Sequence, residues 1–497
     1  MKRDYYLLGV WAIFLICCIA CGKDHLPEDD DESGTIDLPV DTTFTPEPND
    51  SVEWKDAVVI AFNGQSATIT NPYIGKGVTV TQTGADVVVQ STTAAIVQYV
   101  LTGSTNEGSL KMYSQTQFEL IMNGVDIVNS DDPALNIQSG KRVDIKPVEG
   151  TTNRLAGGMS FASEGGKEDT KAAFFSEAAL IFSGKGSLEV ISRYRHAICS
   201  DEFISIEDGN ITVSMSARDG IHVNNYFRMS GGTLDINCFS DGIDSEGYIT
   251  LTGGSIKIVT TQDKGNGIKA AGTRTVANTG TLTVDNGTIV IQTAGSESDG
   301  LKSKANLIIN NGSITIDANY DCIKSTKAIT INGGSIYCNS AINDGLDANE
   351  TITVNGGTIV AVGSAGQEGF ECGKNTFKIT GGTLIGFAEG TSTPTASVST
   401  QRSFVYSGAS VSPNTNFNVT SKDGNSILTY VIPKSFSSNM TVLFSSPAIQ
   451  NGVTYTISKG GEISGGDSFH GLYSNATYTG GTQLAEFTVS SMVMTIK

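Results

Sequence analysis

The sequence is poor in positive charge and in aromatic residues. Its 497 residues include 32 Lys and Arg against 51 Asp and Glu, which gives a formal net charge of -19. Binding to nucleic-acid phosphates requires a basic stripe, and none is visible, so we expect no nucleic-acid partner. Aromatic residues make up 7% of the chain, and Tyr226, Phe227, Tyr248, Tyr320 and Tyr337 share no obvious position in the pattern described below. Polar or metal-mediated contacts are therefore favoured over aromatic stacking in any binding surface.

The chain also lacks helical periodicity, and its residue composition is typical of strands and turns. It contains 57 Gly but only 11 Pro, and its recurring apolar residues are Ile, Val and Leu flanked by Thr, Ser and Asn. A length of 497 residues exceeds a typical single core, so either several domains or one repeat structure must accommodate it. The composition favours the repeat.

The cysteines indicate neither a disulfide framework nor a zinc site. Of the eight cysteines, Cys17 and Cys18 lie in the leader and Cys21 has a separate role, which leaves five in the body of the chain. No spacing among these five resembles a zinc site or a disulfide scaffold. We interpret them as small buried hydrophobic residues, and a single disulfide among them stays open.

The N-terminus has the pattern of an export signal. Met1-Lys2-Arg3 precedes an apolar run from Leu7 to Ala20, which is too short for a comfortable membrane span, so residues 1–20 are predicted to be a signal peptide. The ending Cys18-Ile19-Ala20-Cys21 resembles a bacterial lipobox. Cys21 is thus the predicted first mature residue, the lipid carrier and the point of membrane attachment.

A polar, acidic segment follows the predicted lipid anchor. Residues 21–53 include Glu28-Asp29-Asp30-Asp31-Glu32 and cannot bury enough apolar surface to fold, so we predict a disordered tether. An acidic stretch at this position is similar to the export signal of surface lipoproteins in some Gram-negative bacteria, although a solubilising spacer has the same composition. We therefore expect a lipoprotein of the outer membrane that faces the cell exterior.

Two short elements recur through the middle of the chain. The first is a turn and strand of the type Asp-Gly-Ile-Lys, with a usual period of 22 to 25 residues, at 219–222, 241–244, 266–269, 299–302, 321–324, 344–347 and 368–371. The second is a turn and strand of the type Gly-Gly-Ser-Ile, at 231–234, 253–256, 286–289, 311–314, 333–336, 356–359 and 381–384.

Short strands and glycine turns at this period predict a β-solenoid rather than a globular sheet. The fold class is therefore all-β, with a right-handed parallel β-helix over residues 54–389 and a β-rich C-terminal cap over 390–497, where the repeat is lost. Alternation predicts that Leu301 and Ser303 point inward while Lys302 points outward. Asn310, Asn332 and Asn355 precede equivalent turns and are expected to form a hydrogen-bonded ladder.

Coil stacking turns two positions of the first element into lines of side chains about 4.8 Å apart. The column before the first glycine, which we call column A, holds His196, Asp219, Asp241, Asn266, Asp299, Asp321, Asp344 and Glu368. The column two residues after that glycine, column B, holds Cys199, His222, Asp244, Lys269, Lys302, Lys324, Asp347 and Glu371.

Stacked carboxylates repel one another unless a cation neutralises them, and calcium prefers oxygen ligands. We therefore predict calcium as a cofactor, with ligands drawn from Asp219, Asp241, Asp244, Glu246, Asp344, Asp347 and Glu371. The lysines of column B lie between the acidic residues at 241–246 and those at 344–371, and they are placed to meet the carboxylates of an acidic sugar chain. The predicted substrate-binding residues are His222, Lys269, Lys302 and Lys324. Ordinary turn chemistry at the Asp residues and charge balance between coils are the alternatives.

Several strings resemble a bacterial family of carbohydrate-binding, calcium-associated parallel β-helices, whose type member binds cellulose and polygalacturonate. The strings are Phe62-Asn63-Gly64, Asn136-Ile137-Gln138-Ser139-Gly140, Phe174-Phe175-Ser176-Glu177, His196-Ala197-Ile198-Cys199-Ser200-Asp201 and Asp219-Gly220-Ile221-His222-Val223-Asn224. The resemblance covers about residues 54 to 497. It also implies a shape like that of pectate lyases, and Lys269, Lys302 and Lys324 would then be the candidates for a catalytic base.

The leading hypothesis is a monomeric, membrane-anchored protein that binds an acidic, pectin-like polysaccharide through calcium and does not cleave it, so no catalytic residue is predicted. A calcium-dependent polysaccharide lyase with a lysine base is the first alternative. A structural or adhesive surface stalk without sugar specificity is the second. Likeness of fold does not decide among the three.

Overall fold

The computed structural model describes Phe44, Pro48 and residues 54–497 except Ser163, Lys167, Val276, Asn375 and Ser438. The predicted signal peptide at 1–20, the predicted lipid carrier Cys21 and most of the predicted tether at 21–53 lie outside the described residues. Within the described part, all regular elements are strands, and it contains no helix with the length and apolarity needed to span a membrane.

The repeat folds into a parallel β-solenoid of about 12 turns, as the sequence predicted. One coil contains three strands, Ile221–Val223, Tyr226–Met229 and Thr233–Cys238, and each pairs in parallel with its equivalents in the next coil. The three strands define three faces of the solenoid, which we number 1 to 3 in that order. Each coil brings its strands to positions one strand spacing beyond the equivalent strands of the preceding coil. The backbone N–H and C=O groups of these strands therefore pair between coils.

Face 1 is a 13-stranded sheet whose first two strands are antiparallel and whose other pairings are parallel. Its strands are Val78–Thr83, Ala85–Ser91, Gly108–Ser114, Leu135–Ile137, Ala172–Ser176, His196–Ser200, Ile221–Val223, Ile243–Ser245, Ile268–Ala270, Leu301–Ser303, Ile323–Ser325, Leu346–Ala348 and Phe370–Cys372.

Faces 2 and 3 belong to one 27-stranded sheet. Face 2 contains Phe118–Val128, Val143–Pro147, Leu180–Phe182, Phe203–Ile206, Tyr226–Met229, Tyr248–Leu251, Leu282–Val284, Leu307–Ile309, Ile329–Ile331, Thr351–Val354 and Thr376–Ile379. Face 3 contains Thr152–Gly157, Ser187–Ser192, Asn210–Ser216, Thr233–Cys238, Ser255–Thr260, Thr288–Thr293, Ser313–Ala318, Ser335–Ser340, Thr358–Val362 and Thr383–Ala388.

Both ends of the solenoid carry different pairings. At the start, the hairpin Val58–Asn63 and Ser66–Thr70 joins the sheet through Gln98–Thr105. At the other end, Thr441–Ser445 runs antiparallel to the last face 3 strand and also pairs with Ser403–Ser407, which pairs with Val493–Ile496. An antiparallel strand at this edge stops further parallel stacking and covers the open edge.

The remaining C-terminal strands form two small sheets. Six strands make one sheet: Thr415–Ser421, Ser426–Ile432, Thr454–Lys459, Asp467–Phe469, Leu472–Ser474 and Thr482–Thr488. Glu462–Ser464 and Thr477–Thr479 make the other. The larger sheet packs on outward apolar residues of face 3, where the Phe387 ring lies 4.8 Å from that of Tyr430 and 5.5 Å from that of Phe417.

The core follows the predicted alternation. Leu301 and Ser303 are fully buried between the faces while Lys302 is partly exposed, and one continuous apolar cluster runs inside the coils. Asn332 Nδ2 donates to Asn310 Oδ1 at 2.6 Å, and Asn355 Nδ2 donates to Asn332 Oδ1 at 2.8 Å, which confirms the asparagine ladder. The five described cysteines are free and buried, as predicted for small hydrophobic residues.

The glycine of the first element is required by a side chain across the coil and by the backbone of the next coil, since a Cβ atom at Gly242 would also lie 2.5 Å from the carbonyl oxygen of Gly267. A Cβ atom at Gly242 would lie 2.4 Å from Ile258 Cγ2, and the same contact recurs at Gly220, Gly267 and Gly300. Position 322 is Cys instead of Gly, and there the residue across the coil is Cys338 instead of Ile, with the two thiols in contact. Volume is thus balanced between two positions of one coil, as close packing demands.

Phe44, inside the predicted tether, contacts the solenoid. Its ring lies 4.2 Å from the guanidinium carbon of Arg154, which is buried and forms an ion pair with Asp126 at 2.7 Å. A cation over an aromatic face is attracted by the electron-rich ring, so this residue is held against face 3.

This packing predicts that the Cys pair can be transplanted. Gly242→Cys alone should lower the free energy of unfolding by about 1–3 kcal/mol, because the new side chain overlaps Ile258. Gly242→Cys combined with Ile258→Cys should recover part of that loss. Thermal and denaturant unfolding under reducing conditions would measure both variants, and a double variant less stable than the single one would contradict the volume argument.

Candidate functional site

The strand register of face 1 aligns column B as its spacing predicted. Cys199, His222, Asp244, Lys269, Lys302, Lys324, Asp347 and Glu371 are successive partners from strand to strand. All these side chains therefore point to the outer side of face 1, where column A borders them. The two columns together form the candidate site.

Column A has a structural role through one oxygen of each side chain. Oδ1 of Asp219 accepts the backbone N–H of Asp241 at 3.0 Å, and Oδ1 of Asp241 accepts that of Asn266 at 2.6 Å. The same bond continues at each step through Asp299, Asp321, Asp344 and Glu368. Asn266 fits the pattern because its amide oxygen serves the same purpose. The second oxygen of each Asp is left to face column B.

The basic residues of column B are paired with carboxylates. Lys269 Nζ lies 2.8 Å from Asp241 Oδ2, and Lys302 Nζ lies 2.9 Å from Asp299 Oδ2. Lys324 forms an ion pair with Asp347. Burial opposes the charged form of Lys269, but Asp241 and Asp244 raise its pKa above the usual range. That shift is opposite to the one a lysine needs to act as a general base near neutral pH.

The predicted ligands Asp241, Asp244 and Glu246 are neutralised by side chains in this structure. Burial raises the pKa of Asp241 to about 6, against the effect of Lys269. Glu246 Oε2 lies 2.7 Å from Nε of Arg274, in the segment between the strands Ile268–Ala270 and Leu282–Val284. Arg274 was not predicted from the sequence because it lies outside the two recurring elements. These three carboxylates stay predicted ligands, and each is paired with a cationic or imidazole side chain in this structure.

Two imidazoles lie at the start of the columns. The rings of His196 and His222 stack with centroids 4.7 Å apart, and Asp219 Oδ2 lies 3.1 Å from His196 Nδ1 and 3.3 Å from His222 Nδ1. Burial lowers the pKa of His196. Burial also disfavours the charged form of His222, but the neighbouring Asp219 and Asp244 carboxylates raise its pKa to about 10.

The other end of the columns gathers three carboxylates. Asp321, Asp344 and Asp347 are buried, with one oxygen of each within 4.8 Å of the others. Burial, a hydrogen bond to Glu371 and the charge of Asp321 raise the pKa of Asp344 to about 8. Burial and Asp299 raise the pKa of Asp321 to about 6, and its Oδ2 atom has no hydrogen-bond partner in the described part. Asp321 was not among the predicted metal ligands, although its column position was recognised.

The prediction that the aromatic residues share no column was wrong at one corner. Phe203, Tyr226 and Tyr248 are register partners at the start of face 2, with ring centroids 4.4 and 4.9 Å apart and planes within 9° and 13°. Each lies four residues after its column B position, a spacing that the sequence displays. Both faces of the Tyr226 ring are covered, so this stack offers ring edges rather than a platform for a sugar.

Cys199 keeps its place in column B but is buried. It forms a small cluster with Ala172 and Phe175 on the outer side of face 1, and the Lys171 ammonium lies 5.8 Å from the Phe175 ring centroid. An outward position is not exposed where apolar neighbours of the adjacent strand, here Phe175 and Ala172, pack against it. The open part of column B therefore begins at His222.

Comparison with known proteins places the chain among carbohydrate-binding proteins. A family model described as "Carbohydrate-binding domain-containing protein" matches residues 75–345. A protein of the same description from Acetivibrio thermocellus is 26% identical over 191 residues, a match that covers 32% of this chain and 67% of that protein.

A solved structure was also found, described as the polysaccharide lyase-like protein from C. thermocellum, gadolinium derivative. It is 22% identical, has a TM-score of 0.42 and covers 50% of this chain and 96% of its own. The family model spans every coil from the start of face 1 to Gly345, which is more than half of the chain. The chain therefore belongs to the family of carbohydrate-binding domain-containing proteins.

Proposed function

We propose that this chain is a membrane-anchored surface protein that binds an acidic, pectin-like polysaccharide through calcium and does not cleave it. The observation that carries the proposal is the buried group of Asp321, Asp344 and Asp347 on the outer side of face 1. The family supports carbohydrate as the partner.

The donor set of this group fits calcium. Its atoms are carboxylate oxygens, which hard cations such as Ca²⁺ prefer. The raised pKa values of Asp344 and Asp321 express the repulsion and burial that a bound cation would relieve. Asp344 and Asp347 would hold the ion together with Asp321, and Glu371 lies beside them. Bound calcium would supply positive charge for a sugar carboxylate that the acidic columns alone repel.

The lysines of column B would make the remaining contacts to the sugar. Lys302 and Lys324 are each about one quarter exposed, with side-chain exposures of 23% and 24%. An ammonium group has three donors, so pairing with one Asp leaves donors for a carboxylate or hydroxyl of the ligand. His222 and Lys269 would extend the same line toward the first coils. Equivalent groups recur at the strand spacing along the solenoid axis, and we propose that the polysaccharide follows that axis.

Substitution within the acidic group tests the calcium-dependent binding. Asp344→Asn and Asp347→Asn should each weaken calcium affinity and retention on polygalacturonate by about 10-fold or more, because each removes a charged ligand. Asp235→Asn is the matched control, since that partly exposed carboxylate lies on face 3 beside Lys257. Calcium titration and polysaccharide retention with and without chelator would measure both effects.

The outcomes of that experiment separate the three functions. Retention that chelator abolishes, without new ultraviolet absorbance from unsaturated sugars, supports the binding protein. Appearance of such a product would replace it with a lyase. No retention on any glycan of a broad panel would refute sugar binding and leave a structural stalk.

The raised pKa of Asp344 predicts how calcium removal changes stability. Between the ordinary value of about 4 and the folded value of about 8, the folded chain binds more protons than the unfolded chain, so stability should fall as pH rises. In chelator, the melting temperature should therefore drop from pH 5 to pH 8. Calcium should reduce the drop, and Asp344→Asn should remove part of it. A melting temperature that rises over this range in chelator would contradict the assigned protonation.

The proposed anchor is tested at Cys21. Cys21→Ser should abolish incorporation of labelled fatty acid and release the chain from membranes, because one lipid-bearing cysteine would be lost. Protease added to intact cells should degrade the wild-type chain if it faces the exterior. Fatty-acid incorporation that persists in Cys21→Ser would disprove this anchor.

A further inference from the structure

A second cluster on face 1 differs in chemistry from the acidic group. It lies at the other end of the columns and combines two imidazole nitrogens with a carboxylate oxygen. We propose that His196, Asp219 and His222 form a binding site for a transition-metal ion of the Zn²⁺ class. The proposal is independent of calcium binding at Asp344.

The spacing of the three donor atoms fits such an ion. Ligands about 2.0–2.1 Å from a tetrahedral Zn²⁺ lie about 3.3–3.4 Å from one another. Asp219 Oδ2 lies 3.1 Å from His196 Nδ1 and 3.3 Å from His222 Nδ1. Donor atoms of all three residues lie within 4.8 Å of one another. Asp244 Oδ2 lies 3.4 Å from His222 Nδ1 and borders the site on the side of the next coil.

The Nδ1 atom of each ring lies beside the Asp219 carboxylate. His222 Nδ1 is buried and has no hydrogen-bond partner in the described part, although two carboxylate oxygens lie within 3.4 Å. The backbone N–H of Asp219 donates to His196 Nδ1 at 3.3 Å, so this nitrogen is unprotonated, and a bound ion would take over the lone pair that now accepts that N–H. The carboxylate of Asp244 is nine-tenths buried, and its Oδ1 atom also has no hydrogen-bond partner among the described residues.

The fold orients the ligands before any ion binds. Asp219 Oδ1 accepts the backbone N–H of Asp241, which fixes the carboxylate and leaves Oδ2 toward the imidazoles. The parallel stack of the two rings holds their nitrogens on adjacent coils. Second-shell hydrogen bonds of this kind orient the ligands of metal sites. The mixture of nitrogen and oxygen donors selects Zn²⁺, Co²⁺, Ni²⁺ or Cu²⁺ over Ca²⁺.

Cobalt provides the test, because its visible absorption reports the ligand environment. The full chain without a histidine tag, freed of metal by chelator, should bind one Co²⁺ that Zn²⁺ displaces and excess Ca²⁺ does not. His196→Gln and His222→Gln should each weaken binding by more than about 10-fold, since even the loss of an outer-shell partner costs about 10- to 100-fold. His470→Gln is the matched control, because His470 stacks on Tyr337 far along the chain.

A second variant keeps the test decisive if a histidine substitution unfolds the chain. His222→Lys places an ammonium beside Asp219 and Asp244, as Lys269 does beside Asp241, so the fold should persist while a nitrogen ligand is lost. Loss of cobalt binding in a folded His222→Lys chain supports the site. No cobalt binding by the wild-type chain, or wild-type affinity in His222→Lys, would overturn it. Asp347→Asn should leave cobalt binding unchanged, which separates this site from the proposed calcium group.

Discussion

Backbone pairing between coils is the constraint on which the rest of this structure depends. Each strand of a coil hydrogen-bonds to the equivalent strand of the next, so equivalent residues repeat at the strand spacing along three faces. The spacing between paired strands is fixed, so equivalent residues of neighbouring coils cannot lie farther apart. Any side chain chosen for one coil is therefore placed directly beside its counterpart in the next, whether the two attract or repel.

Column A shows how the chain resolves that conflict. Asp supplies one oxygen to the backbone of the following coil, so it recurs for a structural reason, and its second oxygen brings negative charge with it. Lysines of column B neutralise the middle coils. At one end, imidazoles meet the carboxylates, and at the other end, three carboxylates adjoin with Lys324 as their paired cation. The two candidate ion sites thus arise where the alternation of charges along the columns changes.

The sequence predicted those features that recur with the period. The coil, the inward alternation, the two columns and the asparagine ladder all follow from residues at fixed spacing, and the structure places them accordingly. Arg274 was missed because it lies outside the recurring elements, and the burial of Cys199 because the period does not reveal its packing against Ala172 and Phe175 of the adjacent strand. The aromatic stack of Phe203, Tyr226 and Tyr248 does obey the period, but its members start a different face and were not aligned with one another. Charge balance between coils was one of the alternatives that the sequence offered, but the individual ion pairs could not be predicted, since they depend on which carboxylate oxygen each backbone amide has already taken.

The exchange of Gly and Ile for Cys322 and Cys338 has a consequence for how such a chain can change in length. The two partners of this contact lie within a single coil, and the same holds for Gly242 with Ile258. The side-chain part of this packing is therefore contained in one coil and would survive duplication or deletion of a whole coil, whereas the glycine also lies against the backbone of the next coil, as Gly242 does against the carbonyl oxygen of Gly267. What a new coil alters is the order of charges along columns A and B. In this architecture, a change in the number of coils would preserve the side-chain packing within each coil but would alter the order of charges on which both candidate ion sites depend.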